Sequence, residues 1–393
     1  MHVLAVPIGL ALVAVAGADI FTTVLHYEHR GLLTPRLHRV VWLAVRAVSR
    51  RLPGGARMYV LSLGAPLMMV STLLAWLTLL VIGFALVYLP ALETGALAAP
   101  PPGTPPVVSA VYFSAVTLST LGLGDMTPRS SAYQLVAGVE ALAGLGLATM
   151  TISYVLNVYQ VLQRINTLAG ALEQQLPAPG HATDVLAPHF VSGQPRELST
   201  RLHDLYRDLL AYSEGLHHYP LVFYFHSGRR FRSLPYAFTV VAQLVAALRW
   251  GLPKGHPATT DPWLTALADC ALELAAYVER HFTGAPPAPA RPLDADAFAR
   301  QTSAPKRPDD PAVAQFVWLT DHMAALAGVD DRDSPAERYA RYLGWLAFAQ
   351  RAAGFVDVAA RALASEVPSS DPEASWLATP PAPQARPIDT LPR

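Results

Sequence analysis

The sequence has few of the features that enzymes, disulfide-stabilised folds or nucleic-acid-binding proteins need. Cys270 is the one cysteine among 393 residues, so no disulfide can form within the chain. Charged residues make up 15% of the chain and the formal net charge is zero, a balance that gives no sign of a nucleic-acid partner. Phosphate-binding glycine loops, His-Glu-x-x-His and paired Cys-x-x-Cys motifs are absent from the sequence. We therefore expect neither enzymatic activity nor a cofactor.

Long apolar runs, in contrast, fill the first part of the chain. Residues 3–25, 66–89 and 133–159 are each long enough to cross a bilayer, which takes about 20 apolar residues in a helix. Residues 1–27 lack the basic start and cleavage site of a signal peptide, so we expect a membrane helix there. A polar stripe in that helix predicts a hydrogen-bonded helix contact, with a part in gating as the alternative. The stripe consists of Asp19, Thr22, Thr23 and His26.

Residues 28–60 form a basic segment between the first two apolar runs. Within it, residues 34–51 are predicted to be an amphipathic helix with Thr34 as its cap and Pro35 in its first turn. A basic amphipathic helix next to a membrane span is typical of contact with anionic headgroups. One face carries Arg36, Arg39, Arg46 and Arg50, and the other carries Leu37, Val40, Val41, Ala44 and Val48.

Charge also predicts the topology. The basic segment is rich in arginine, whereas residues 90–106 contain no lysine or arginine. Because cytosolic loops of membrane proteins carry the excess of basic residues, the basic segment should be cytosolic. The protein is then a multi-pass protein of the plasma membrane, with its N-terminus outside and its C-terminal domain in the cytosol. Residues 90–106 are expected to be an extended outer loop.

The most specific pattern lies between residues 109 and 128. Its first half is apolar and predicts a short helix, and its second half reads Thr120-Leu121-Gly122-Leu123-Gly124-Asp125. Glycines at alternate positions permit positive φ angles, so successive carbonyl groups can point towards a common axis. Four copies of this segment around an axis would form rings of carbonyl oxygens that replace the hydration shell of a cation.

This segment resembles the pore loop of the potassium-channel superfamily, whose signature is Thr-Val-Gly-Tyr-Gly-Asp. Thr120, Gly122, Gly124 and Asp125 match the signature, Leu121 replaces valine and Leu123 replaces tyrosine. The resemblance covers residues 66–159. It implies an all-α membrane protein with a pore module of outer helix, pore helix, filter and inner helix. We expect an additional N-terminal membrane helix and an all-α cytosolic domain.

The resemblance also implies roles for residues in and around the filter. Potassium would be coordinated by the backbone carbonyls of the segment from Thr120 to Leu123. Pore-helix support is expected from Tyr112, Phe113 and Thr117, the first two forming an aromatic cuff. Leu123 offers that cuff no hydroxyl group, although potassium-selective pores with Gly-Leu-Gly occur in the family.

The inner helix is expected to line the cavity and to form the gate. Gly144 stands at the position of the gating hinge of the family. The cavity-lining stripe and apolar gate would consist of Leu145, Ala148, Ile152 and Leu156. Glu140 lies in the outer half of this helix, where it would either brace the filter from behind or bond to the hydroxyl of Ser114 or Thr117.

The chain therefore divides into five predicted parts. Residues 1–27 form the first membrane helix, residues 28–60 the basic segment and residues 61–162 the pore module. Residues 163–365 form the helical cytosolic domain, and residues 366–393 a polar, proline-rich, disordered tail. No known ligand-binding motif occurs in the cytosolic part, so its ligand or partner stays open.

We predict a passive cation channel that selects potassium as the transported ion. One chain supplies one pore loop, so the channel would be a homotetramer in the lipid bilayer. Two alternatives remain: a weakly selective cation pore, because of Leu123, or a membrane-anchored sensor or scaffold whose pore does not conduct.

Overall fold

The computed structural model describes residues 4–25, 31–98, 104–175, 182–191, 194–225, 233–284, 291–303, 308–331 and 333–363. His26 of the predicted polar stripe and the predicted tail 366–393 lie outside these residues. The chain forms two compact units. The first comprises residues 1–162 together with a segment that begins at Gly215, and the second comprises the remainder.

Among the residues that the structure describes, three helices are long and apolar enough to cross a membrane, as the sequence predicts. In the first unit, α1 spans Ala5–Val24, α2 Thr34–Ser49, α3 Gly54–Ser62 and α4 Gly64–Glu93. The outer pore helix α4 begins two residues before Pro66, the predicted start. It also continues through Pro90, which was expected to begin the outer loop, and ends at Glu93. The last turn is closed by the Thr94 N–H, which donates to the Pro90 carbonyl group at 3.1 Å.

Asp19 joins three helices of the first unit at one buried point. Its Oδ2 atom accepts hydrogen bonds from the Thr34 hydroxyl at 2.7 Å and from Trp76 Nε1 at 2.8 Å. Its Oδ1 atom accepts the backbone N–H of Leu33 at 2.7 Å. The carboxylate is thus satisfied by donors from α4 and from the start of α2, where the helix dipole also favours a negative charge. The predicted helix-packing hydrogen bond is confirmed.

The start and the buried face of α2 differ from the prediction. Leu33 is the N-cap, and no side chain caps the helix. Thr34 is the first helical residue and gives its hydroxyl proton to Asp19 instead. Neither of the two predicted faces of α2 packs against the rest of the unit, and a third stripe is buried instead. Within it, Nε2 of His38 lies 2.9 Å from Oγ1 of Thr72 in α4 and forms a hydrogen bond. This stripe consists of Thr34, His38, Trp42, Val45 and Ser49.

The short helix α5 spans Pro106–Leu118, and α6 spans Ser131–Gln175. The inner helix α6 is therefore much longer than the predicted residues 133–159. It passes without interruption through the predicted domain boundary at residue 162. A 3₁₀ turn at Pro220–Tyr224 belongs to the first unit, although its sequence position places it in the predicted cytosolic domain.

The second unit is helical, as predicted. After a 3₁₀ helix at Ala182–His189, β1 (Phe190–Val191) and β2 (Gln194–Pro195) form a two-residue antiparallel pair. Helices α7 (Leu198–His218), α8 (Leu234–Ala246), α9 (Pro262–Val278), α10 (Ala295–Ser303), α11 (Pro311–Ala327) and α12 (Pro335–Leu363) follow. The last turn of α7, from Gly215, belongs to the first unit. Cys270 is a buried core residue of α9, and burial raises the pKa of its thiol to about 12.

Candidate ion-conduction site

The segment after α5 has the alternating backbone that a carbonyl filter requires. Gly122 has a φ of 54° and Gly124 a φ of 78°, both positive as the glycine spacing predicts. Thr120 also has a positive φ, of 59°, which the sequence does not predict. Three alternate residues therefore have positive φ, the arrangement expected when successive carbonyl groups turn towards one side.

Thr120 is the unusual member of this series. A β-branched residue with positive φ costs of order 1–3 kcal/mol and persists only where the surrounding structure imposes it. Its N–H donates to the carbonyl of Thr117 at 2.9 Å, and the next N–H, of Leu121, donates to Val116 at 3.1 Å. The last turn of α5 thus holds the first filter residues. The support that Thr117 gives comes from its main chain.

Tyr112 and Phe113, the predicted aromatic cuff, have different surroundings. Tyr112 donates its hydroxyl proton to Oδ2 of Asp125 at 2.8 Å, so it anchors the residue that follows the filter. Phe113 is buried and packs edge-on against Tyr88 of α4, with ring centroids 4.8 Å apart. The Phe113 ring is therefore covered by α4, and the two-residue aromatic cuff stays a prediction.

The C-terminal end of the predicted filter is held by the loop that follows α4. Ala98 N–H donates to Thr127 at 3.0 Å, and Arg129 N–H donates to Ala96 at 2.7 Å. These bonds flank the bridge between Leu97 and Pro128. The predicted extended outer loop thus begins with residues that pair with the chain leaving the filter.

The predicted cavity stripe faces away from the rest of the chain. Leu145, Ile152 and Leu156 are between 58% and 62% exposed, and Ala148 is exposed as well. In the filter, Leu121 is 64% and Leu123 57% exposed. Apolar surface of this extent needs a cover of other protein or lipid, which a single chain does not supply for these residues.

Gly144 has a different environment from that of a free hinge. A Cβ atom at residue 144 would lie 1.8 Å from the carbonyl oxygen of Leu118, the last residue of α5. The inner helix therefore approaches the pore helix through this glycine, and α6 is continuous there. The absence of a side chain at Gly144 permits close packing directly behind the predicted filter, and the role of Gly144 as a hinge stays a prediction.

One turn away, Glu140 meets the pore helix again. Its Oε1 atom accepts a hydrogen bond from Ser114, which was one of the two hydroxyl partners expected from the sequence. The same hydroxyl lies 3.0 Å from the carbonyl oxygen of Val81 in α4. Glu140 and Ser114 are both fully buried. Three helices of the pore module thus meet at a polar contact behind the filter.

Comparison with known proteins agrees with this architecture. Residues 71–161 match a protein-family model described as "Ion channel". The chain is 38% identical over 72 residues, 18% of either chain, to "Two-pore potassium channel 5" of Arabidopsis thaliana. It is 26% identical over 257 residues to "Uncharacterized membrane protein YdjJ" of Bacillus subtilis (strain 168), which covers 63% of this chain and 70% of the relative. No solved structure matches the chain.

The resemblance to pore-loop channels inferred from the filter sequence is therefore confirmed for residues 71–161. The chain is a helical membrane protein that carries an ion-channel type of pore region. The backbone of Thr120, the Tyr112–Asp125 bond and the packing of Gly144 were missed from the sequence. Of these, only the Tyr112–Asp125 bond had a signal there, because Asp125 belongs to the filter motif, Tyr112 to the helix before it, and the two side chains can form a hydrogen bond.

Proposed function

We propose that the chain forms a passive, potassium-selective channel whose filter runs from Thr120 to Gly124. The observation that carries the proposal is the alternation of positive φ angles at residues 120, 122 and 124, directly after the pore helix. Backbone carbonyl groups of the segment from Thr120 to Leu123 would coordinate the dehydrated ion, together with the Thr120 hydroxyl. Potassium is then the transported ion, and no cofactor takes part.

We further propose a homotetramer in the plasma membrane. The exposed filter leucines and the exposed stripe on α6 support this assembly, because four copies around one axis would cover the leucines with neighbouring chains and arrange the stripes around a central pore. Within one chain, only 6% of the residues in the most apolar 18-residue stretch of α6 are buried. In mild detergent the purified protein should behave as a tetramer. A monomer or dimer with full ion flux would contradict the proposal, since one or two loops cannot close a carbonyl ring.

The positive-inside rule supports the proposed orientation, with the N-terminus outside and residues 163–365 in the cytosol. A cysteine in the outer loop at Gly95 should then react with an impermeant thiol reagent applied to intact cells. Reaction only after permeabilisation would contradict this orientation.

The experiment that tests the function measures potassium and sodium flux in liposomes that contain the purified protein. The Gly122→Ala protein is compared with Gly95→Ala as a matched control. Both glycines have positive φ, 54° and 72°, and open space where a Cβ atom would lie. Each substitution should therefore cost about 1–2 kcal/mol of backbone strain. Only Gly122 lies in the filter, so we expect loss of selective flux in Gly122→Ala alone.

Normal selective flux in Gly122→Ala would favour the second class of function, a membrane-anchored sensor or scaffold with a non-conducting pore. The weakly selective alternative has its own test, which is Leu123→Tyr. This change offers the filter a hydroxyl group near Tyr112. If Leu123 leaves the filter loosely held, the potassium-over-sodium ratio should rise. An unchanged, high ratio would exclude weak selectivity as a consequence of Leu123.

A further inference from the structure

The buried contact behind the filter contains polar atoms that the packing alone does not explain. Glu140 accepts a hydrogen bond from Ser114 through Oε1. The buried Tyr88 hydroxyl of α4 interacts with the same carboxyl group, so three polar side chains converge at this contact. Burying a carboxyl group is costly even where it is hydrogen-bonded, so an apolar side chain at residue 140 would be expected if packing were its purpose.

The position of this contact indicates its purpose. Ser114 lies one helical turn before Leu118, and Glu140 lies one turn before Gly144. The inner helix therefore touches the pore helix at two successive turns, and the second contact is two residues from Thr120. A Ser hydroxyl has one proton, so Ser114 donates either to Glu140 or to the Val81 carbonyl group. The position of Glu140 decides which of the two helices the pore helix bonds to.

We propose that Glu140 is a positioning residue for ion selectivity, which acts through Ser114 on the pore helix and hence on the filter. This inference rests on the proposed channel function. It is tested by the potassium-over-sodium permeability ratio of assembled tetramers for Glu140→Gln, Glu140→Leu and Ser114→Ala. Glutamine retains an acceptor for Ser114 and should retain the ratio. Glu140→Leu and Ser114→Ala should lower it about tenfold, the equivalent of one lost buried hydrogen bond.

Thr78→Val in α4 is the control, because the Thr78 hydroxyl is exposed and bonds to the backbone of Leu74. A purely structural role would lower the yield or melting temperature of tetramers and leave the ratio of the surviving tetramers unchanged. That result would overturn the inference. If Glu140→Leu does not assemble, Ser114→Ala decides, since it removes a single hydroxyl. If the wild type has no selective flux, the proposed function fails first and separately.

A second inference rests on residues 215–225, here called the docking segment, which pack against the cytosolic half of α6. Gly215 allows a close approach: a Cβ atom there would lie 2.5 Å from Cγ1 of Val161. Tyr219 accepts a hydrogen bond from Nδ2 of Asn157 at 3.0 Å. The Tyr219 ring packs edge-on to the buried Tyr154, with ring centroids 5.8 Å apart. Three positions of the inner helix are therefore in contact with this segment.

The remainder of the docking segment anchors it to the same unit. Its 3₁₀ turn, Pro220–Tyr224, packs on α4. The ring of Tyr224 lies 5.2 Å from that of Trp42 in α2. The ring centroids of Phe225 and of Tyr159 in the inner helix lie 6.1 Å apart. The segment is thus held by three different helices of the membrane unit.

The docking segment contacts the side of α6 that faces away from the proposed pore. Tyr154 and Val161 are buried, whereas Ile152 and Leu156 of the cavity stripe are exposed. Asn157 directly follows Leu156, so the contact between the docking segment and α6 lies at the level of the proposed gate. Both ends of the docking segment continue into the second unit, through α7 on one side and towards α8 on the other.

We infer that the docking segment transmits conformational changes of the second unit to α6 and thereby opens or closes the gate. This inference also rests on the proposed channel function and names its regulation. Single-channel recording tests it with two changes of opposite sense. Tyr219→Phe removes the bond to Asn157 and loosens the contact. A cysteine pair at Val161 and Gly215 can fasten it, because a Cβ atom at residue 215 lies 3.1 Å from Cβ of Val161, close to the range for disulfides.

Open probability should shift in opposite directions in the two variants, by at least about twofold, and reductant should reverse the shift of the cysteine pair. Conductance and the permeability ratio should stay at the wild-type values, because the filter is not touched. Tyr206→Phe, in α7 and within the second unit, is the matched control. An unchanged open probability in both variants, or a shift in the same direction, would overturn the inference. An absence of current in the wild type would instead refute the channel function.

Discussion

Replacing Gly144 with alanine separates two roles that this residue could have. A gating hinge needs backbone freedom, whereas a packing contact needs the absence of a side chain. In the structure a Cβ atom at residue 144 would lie 1.8 Å from the Leu118 carbonyl oxygen. Gly146, in the same helix, has no atom within 4 Å of the corresponding position. Gly146→Ala is therefore a control that changes helix flexibility without creating a clash.

The size of the effect follows from the distance. An ordinary carbon–oxygen contact is about 3.3 Å, so Leu118 or the inner helix must move by roughly 1.5 Å. Overpacking of this kind costs about 1–3 kcal/mol in each subunit, partly offset by the gain of about 1 kcal/mol that alanine brings to a helix. Gly146→Ala should gain that amount without the cost. The displaced atom belongs to the last residue of the pore helix, so the strain should reach Thr120.

Flux measurements in liposomes and thermal melting of tetramers distinguish the roles. We expect Gly144→Ala to lower the potassium-over-sodium ratio and the melting temperature, and Gly146→Ala to change neither or to raise the melting temperature. If Gly144→Ala alters open probability while selectivity and melting stay at the wild-type values, our reasoning is refuted. In that case Gly144 acts as the hinge that the sequence predicts.

Three further outcomes are expected. Tyr112→Phe removes the bond to Asp125 and should lower the potassium-over-sodium ratio a few-fold, because Asp125 loses its side-chain anchor on the pore helix; a ratio equal to that of the wild type would contradict a bracing role. Ile152→Cys should react with a cytosolic thiol reagent and block the current. The wild type should not react between pH 7 and 9, because burial raises the pKa of Cys270 to about 12 and keeps its thiol protonated; reaction of the wild type would show that α9 opens. Asp19→Ala removes the acceptor of several buried hydrogen bonds and should destabilise the tetramer by about 3 kcal/mol without changing selectivity, as thermal melting and flux would show.

The sequence predicted those features that depend on short stretches of chain. Apolar runs of sufficient length gave the three membrane helices, because the bilayer fixes the length of a spanning helix. The glycine spacing predicted positive φ at Gly122 and Gly124, because few other residues adopt such angles readily. The hydroxyl partner of Glu140 could be narrowed to two residues, because helical periodicity limits which side chains face the inner helix.

The features that were missed depend on contacts between distant parts of the chain. The sequence does not distinguish a glycine that is needed for close packing from one that is needed for bending, so Gly144 was predicted to be a hinge. The docking segment lies far from Tyr154 in the sequence. Neither its composition nor its periodicity indicates that it packs on the first unit rather than within the predicted cytosolic domain. Positive φ at Thr120 contradicts the local preference of a β-branched residue, so only the surrounding structure can impose it.

The same distinction bears on the effect of Leu123 on selectivity. Replacing tyrosine with leucine removes one hydroxyl from the filter, and the weakly selective alternative assumes that nothing compensates for this loss. The filter is nevertheless restrained on both sides of Leu123. Tyr112 bonds to Asp125, and the backbone of residues 96–98 pairs with that of residues 127–129. At the inner end, Leu121 bonds to Val116. Because backbone bonds do not depend on side-chain identity, this restraint supports selectivity without a tyrosine in the filter.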